Sequence, residues 1–145
     1  MASEVTAALK KGRTEKDIPS LTLAYQLTTK ASQVGFDWPD IGGVLIKLDE
    51  EMREFQEALS LQDKKKAREE LGDILFVMAN LGRFLHVDPE RALRQTIRKF
   101  VTRFRYVEMK LRKQGKSPRQ SNLEEMDQLW NEAKHQTKKK SKESP

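Results

Sequence analysis

IGGVLIKLDEEMREFQEALS, residues 41–60, decides how the chain reads. Leu45, Leu48, Met52, Phe55 and Leu59 recur three and four residues apart, which is the spacing of one helix face. The same stretch carries Glu50, Glu51 and Glu54. By the helical step of about 100°, Glu51 lies about 60° from the centre of the apolar stripe and Glu54 about 120°. Glu51 therefore borders a core, where an unpaired charge is costly. Lys47, one turn earlier, is its nearest local counter-ion. A solvated acidic face remains the simpler reading of this cluster taken alone.

A second acidic pair follows about twenty residues later, in EELGDILFVMAN (residues 69–80). Asp73 opens an apolar run, with Glu70 one turn before it and Asn80 two turns after it on the same side. The run is apolar all round, so this part of the helix is expected to be buried on every side. A charge entering such a helix needs an ion-pair partner, such as Arg68, Arg83 or a residue of the following helix, or a metal. If the two helices face each other, at least four carboxylates converge. At an effective dielectric of about 20, two such charges about 5 Å apart repel by roughly 3 kcal/mol. Protons, basic side chains or divalent cations must offset that, and oxygen ligands suit Mg²⁺, with Mn²⁺ a possible substitute. A carboxylate metal centre that handles phosphates is the resulting site hypothesis.

Glycine and proline divide the remainder into helices. Leu23, Leu27, Ala31 and Val34 give a first helix over about residues 19–34, stopped by Gly35. GFDWPD (residues 35–40) reads as a structured loop over packed Phe36 and Trp38. The third helix covers about residues 64–86. Asp88-Pro89 starts a fourth, whose Leu93, Ile97, Phe100, Phe104, Val107 and Leu111 form a heptad-like seam. Gly115 ends it. Ser121 or Asn122, with Glu124 or Glu125, caps a fifth, lined by Met126, Leu129, Trp130 and Ala133. No strand pattern appears. The expectation is an all-α bundle of about five helices: a flexible segment at 1–18, one helical domain at 19–136, and a disordered basic tail at 137–145.

Composition narrows the function. The chain has 145 residues, no Cys and two His, which rules out disulfides and disfavours zinc. The first twenty residues carry no apolar signal segment, and the apolar run at 74–79 is too short to span a bilayer. A cytoplasmic protein without membrane partners is expected. Of the net charge of +6, residues 137–145 contribute +3 and residues 1–17 contribute +1. With the excess at the ends, nucleic acid is not the expected partner. Lys99 and Arg103, one turn apart, and Trp130 and Lys134 on the last helix read on pattern alone as a solvated basic face and a core Trp. Beside a carboxylate-held metal they also fit a polyphosphate site.

The segments VGFDWPDIGGVLIKLDEEMREFQEAL, EELGDILFVMANLGRFLHVDPERAL, KFVTRF and LEEMDQLWNEAK occur in that order. Together they resemble the MazG family of nucleoside triphosphate pyrophosphohydrolases, within the all-α NTP pyrophosphatases. The likeness runs from about residue 19 to 136 and is closest to the second, catalytic domain of the longer bacterial proteins. It implies Glu51, Glu54, Glu70 and Asp73 as Mg²⁺ ligands, with Glu50 an additional or outer member of the motif and Glu50 or Glu54 as proton acceptor. It implies that Lys99, Arg103, Trp130 and Lys134 bind the nucleotide. It further implies a helical protomer that dimerises through a helix bundle, sometimes assembling further, and hydrolysis of a triphosphate to monophosphate and pyrophosphate in the control or cleansing of nucleotide pools. Relatives usually carry Asn two residues before the KF pair, where this chain has Ile97. A narrower dUTP, dCTP or damaged-nucleotide enzyme and a catalytically silent nucleotide-binding dimer are the alternatives. The chain is either a short single-domain member or a fragment.

Overall fold

The computed structural model describes residues 17–142. Five α-helices account for most of them: α1 Ser20–Gln33, α2 Ile41–Ser60, α3 Lys64–Phe84, α4 Pro89–Lys113 and α5 Leu123–Lys142. A single 3₁₀ turn, Pro118–Gln120, separates the last two. No strand occurs among the described residues.

Local chemistry sets these boundaries. Asp40 Oδ1 accepts from the Gly42 N–H at 2.8 Å to open α2, and Asp63 Oδ1 from the Lys66 N–H at 3.0 Å to open α3. Asp88 Oδ1 caps α4 through the Glu90 and Arg91 N–H groups, ahead of Pro89. At α5 the cap is Asn122, whose Oδ1 accepts from the Glu125 N–H at 2.8 Å. Gly35 at φ 90° and Gly115 at φ 72° end α1 and α4 in the left-handed region.

Contacts divide the chain into two compact units, residues 1–92 and 93–145, where the sequence suggested one domain. The first unit places α3 chiefly against α2 and next against α1. Val44, Ala58, Val77 and Ala79 are buried there. In the second, Val107 and Leu111 of α4 pack with Leu129 of α5, and half-buried Met126 and Trp130 close around them.

Four expectations need correction. Burial of α3 on every side fails: Leu71, Leu75, Phe76 and Met78 are exposed, because the two helices that α3 packs on within its unit cover only part of its circumference. The seam of α4 is buried only at Val107 and Leu111, while Leu93, Ile97 and Phe100 are exposed. Phe36 does not pack beneath its loop; it is 82% exposed, and Trp38 alone turns inward, half-buried. The last helix also continues through Lys142, past the boundary expected at 136. Lys139, Lys140 and Lys142 fall in its final turn, where positive charge complements the helix dipole. The flexible segment expected at 1–18 lies outside the described residues except for Asp17 and Ile18, and so do residues 143–145 of the expected tail.

Candidate metal centre

The acidic residues of α2 and α3 meet within the first unit. One carboxylate oxygen from each of Glu51, Glu70 and Asp73 lies within 4.8 Å of the others. Glu51 and Glu70 are buried, at 5% and 1% exposure, while Asp73 is open to solvent. The buried charge of α3 is thus Glu70, whereas the sequence pattern pointed to Asp73.

Two lysines stand against this charge. Lys47 Nζ lies 2.7 Å from Glu51 Oε1 and 3.4 Å from Glu50. Lys66 Nζ lies 2.7 Å from Glu70 Oε1. The Glu51 and Glu70 carboxylates in turn hold the two ammonium groups above their usual pKa. Lys47 follows from its place one turn before Glu51. Lys66 was missed, although it stands four residues before Glu70 and that spacing was a readable signal. None of the partners named from sequence for the α3 charge, Arg68 or Arg83 among them, takes that place.

The lysines satisfy only half of each buried carboxylate. Glu51 Oε2 and Glu70 Oε2 are buried and accept no hydrogen bond among the described residues. A buried anionic oxygen left unpaired is costly, so the pair calls for a cation between α2 and α3. Three hard oxygen donors, with the solvent-open Asp73 on one side, fit Mg²⁺ or Mn²⁺. Glu54, half-buried, stands next to the trio. Repulsion from Glu70, reinforced by burial, lifts its carboxyl above the usual range, while the Lys66 ion pair draws Glu70 below it. Glu50 is half-exposed and tethered to Lys47 at the rim.

The basic and aromatic candidates belong to the second unit. Trp130 packs its ring on Phe100 at 5.3 Å between centroids and borders the buried cluster, so one face of it is core. Arg103 sits over the same ring at 5.8 Å, with its Nε buried and unpartnered among the described residues. Arg103, Tyr106 and Gln136 line a recess of about 330 Å³. Lys99, Lys134 and Ile97 are exposed.

In the first unit, Arg83 clamps the loop between α1 and α2. Its Nη1 and Nη2 donate to Asp37 at 2.8 and 2.6 Å, and its Nε donates to Asn80 Oδ1 at 2.9 Å. These bonds hold the Asp37 carboxyl below its usual pKa, helped by the Trp38 N–H. Forty-six residues separate Arg83 from Asp37, and no local pattern announces the pair.

The family model of the MazG nucleotide pyrophosphohydrolase domain matches residues 43–107, which include Glu50, Glu51, Glu54, Glu70 and Asp73. The chain is 45% identical over 117 residues to the nucleoside triphosphate pyrophosphohydrolase/pyrophosphatase MazG of Thermotoga maritima, covering 81% of this chain and 45% of that protein. It is 35% identical over 123 residues to the nucleoside triphosphate pyrophosphohydrolase of Escherichia coli K12, covering 83% and 47%. An uncharacterised protein of Bacillus subtilis, YabN, is 48% identical over 65 residues, which is 45% of this chain and 13% of that one. The chain spans about half the length of the two pyrophosphohydrolases. With the domain match lying across both acidic helices and the likeness running through four-fifths of its length, the chain belongs to the MazG nucleotide pyrophosphohydrolase domain family.

Proposed function

We propose that the protein is a Mg²⁺-dependent nucleoside triphosphate pyrophosphohydrolase that yields a nucleoside monophosphate and pyrophosphate. The observation that carries this reading is the pair of buried, unpartnered carboxylate oxygens of Glu51 and Glu70, beside Asp73 on a family-matched scaffold. The names of the relatives support the reaction class.

In this reading Glu51, Glu70 and Asp73, with Glu54 beside them, hold the ion. Bound there, a divalent cation supplies polarisation of phosphate oxygens and acidification of water. Glu54 accepts a proton from the attacking water at its carboxylate oxygen. Glu50 keeps Lys47 in place at the rim. Lys99, Arg103 and Lys134 counter phosphate charge, and Trp130 with Arg103 over its ring contacts the nucleotide. Cleansing or control of nucleotide pools in the cytoplasm is the corresponding role. No helix among the described residues is long and apolar enough to cross a membrane.

A homodimer belongs to the same proposal. Leu45, Met52 and Leu59 repeat every seven residues on α2, and Leu71, Leu75 and Met78 stand four and three apart on α3; all six are exposed. Stripes of that spacing pack on other helices, and a second copy supplies them.

The test is product analysis with purified protein and a panel of ribo- and deoxyribonucleoside triphosphates. Pyrophosphate release that depends on Mg²⁺ and is lost in folded Glu54→Ala and Asp73→Ala supports the reading. Orthophosphate release overturns it. A single strongly preferred substrate such as dUTP or dCTP selects the narrower enzyme, and metal-dependent nucleotide binding without turnover selects the silent dimer.

A further inference from the structure

Both buried carboxylates are tethered in the same way. On α2, Lys47 Nζ stands 2.7 Å from Glu51 Oε1; on α3, Lys66 Nζ stands 2.7 Å from Glu70 Oε1. Each lysine precedes its glutamate by four residues. Each leaves Oε2 of that glutamate buried and without a partner among the described residues. Lys47 is held a second time by Glu50 at 3.4 Å.

Helix stability does not account for these pairs. At this spacing an ion pair supports a helix best with the glutamate N-terminal to the lysine, and both pairs run the other way. Lys66 also sits in the first turn of α3, where positive charge opposes the helix dipole. Its backbone N–H is already satisfied by Asp63, so capping does not require a lysine there.

The tethers do change how each carboxylate can grip an ion. A carboxylate binds a cation through one oxygen or through both. A cation spanning both oxygens of Glu51 or Glu70 would share Oε1 with an ammonium, which repels it and draws on the same electron density. A cation on Oε2 alone stands farther from that ammonium and is repelled less. Each glutamate is thereby confined to one oxygen. Ions differ in how far this suits them. Ca²⁺ gathers about six to eight oxygens at about 2.3–2.6 Å and accepts two-oxygen carboxylates, whereas Mg²⁺ keeps a tight octahedral set at about 2.0–2.1 Å that includes several waters. Mn²⁺ shares the octahedral habit.

We infer that Lys47 and Lys66 are metal-specificity residues: by occupying Oε1 of Glu51 and of Glu70 they restrict each glutamate to one-oxygen ligation, which favours Mg²⁺ or Mn²⁺ over Ca²⁺. The inference rests on the divalent-cation reading of this centre and adds to it what keeps the wrong ion out. The lysines touch the ligands and not the ion, so they are positioning residues.

The test is competition for bound Mn²⁺ on the full chain, followed by electron paramagnetic resonance without nucleotide. In the wild type, Mg²⁺ should displace Mn²⁺ at a concentration at least about threefold below that needed with Ca²⁺. Lys47→Met and Lys66→Met each remove one ammonium and keep a long, unbranched side chain. Each should shift the ratio of Ca²⁺ to Mg²⁺ affinity about tenfold towards Ca²⁺. Loss of a positive charge strengthens the binding of every divalent ion, so the ratio reads the tether and the absolute affinity does not. A gain shared equally by the two ions in both folded variants overturns the inference, and so does a wild type in which Ca²⁺ competes as well as Mg²⁺. The variants lie on different helices, and the wild-type competition needs neither. Either of those results on a chain that binds Mn²⁺ removes the inference alone; absence of saturable Mn²⁺ binding removes the metal centre with it.

Discussion

Single residues carry most of the site's logic, and Glu70 is the clearest. It is a carboxylate at 1% exposure with one oxygen paired to Lys66 and the other unpaired. Its participation was legible from the Glu-x-x-Asp spacing, but its burial was assigned to Asp73, because sequence shows where an apolar run starts and not which way the helix is rotated against its neighbours. Asp37 was not legible at all as a clamp, since its partner lies on another helix. Its folded-state pKa is lowered, so the stability it contributes is present above about pH 4, its unfolded value, and is lost as pH falls through the folded value. In thermal melts, wild type should therefore exceed Asp37→Asn in Tm at pH 7, with the gap narrowing below pH 4; a gap independent of pH would refute the ion-pair account. Gly43 is required for a different reason. A Cβ there would stand 2.4 Å from Trp38 Cδ1, against the rigid root of the indole. Gly43→Ala should cost about 1–3 kcal/mol in denaturant unfolding and shift the Trp38 fluorescence.

Helices were the most legible level of the structure. Asp88 and Asn122, read as caps, accept from the N–H groups that open α4 and α5, Asp40 and Asp63 do the same for α2 and α3 without having been singled out, and Gly35 and Gly115 adopt positive φ where glycine signalled a stop. Periodicity marked the apolar stripes but not always the buried face: on α2 Val44, Glu51 and Ala58 are buried while Leu45, Met52 and Leu59 of the expected stripe are exposed. It did not show how much of each face is covered within one chain, because burial depends on neighbours that local spacing does not encode. The α4–α5 pairing makes this testable. Leu111 is fully buried, so Leu111→Ala should destabilise by about 2–5 kcal/mol. Leu123, 76% exposed on the same pair, should change stability by no more than about 0.5 kcal/mol when replaced by Ala. Chemical denaturation of the two variants checks both. Equal effects would mean that Val107, Leu111 and Leu129 do not form the core of that unit.

At the scale of the whole molecule, charge is divided between the units. Residues 1–92 carry thirteen basic and sixteen acidic groups, net −3; residues 93–145 carry fifteen and six, net +9. The acidic centre and the basic candidates therefore sit on separate units, a partition hidden when the excess is counted from the chain ends. The exposed seven-residue stripes of α2 and the matching stripe of α3 belong to the same scale. Sedimentation equilibrium should show a dimer for the wild type and a monomer for Leu75→Glu; a monomeric wild type would contradict the proposed assembly. The claim on which the rest depends is that Glu51 and Glu70 are buried with spare oxygens in order to share a divalent cation. Its most direct test is Mn²⁺ binding followed by electron paramagnetic resonance, with wild type and folded Glu51→Gln/Glu70→Gln compared. Saturable binding in the wild type that falls at least about tenfold in the variant is the predicted result. Binding unchanged by the double substitution, or no saturable binding at all, would contradict it.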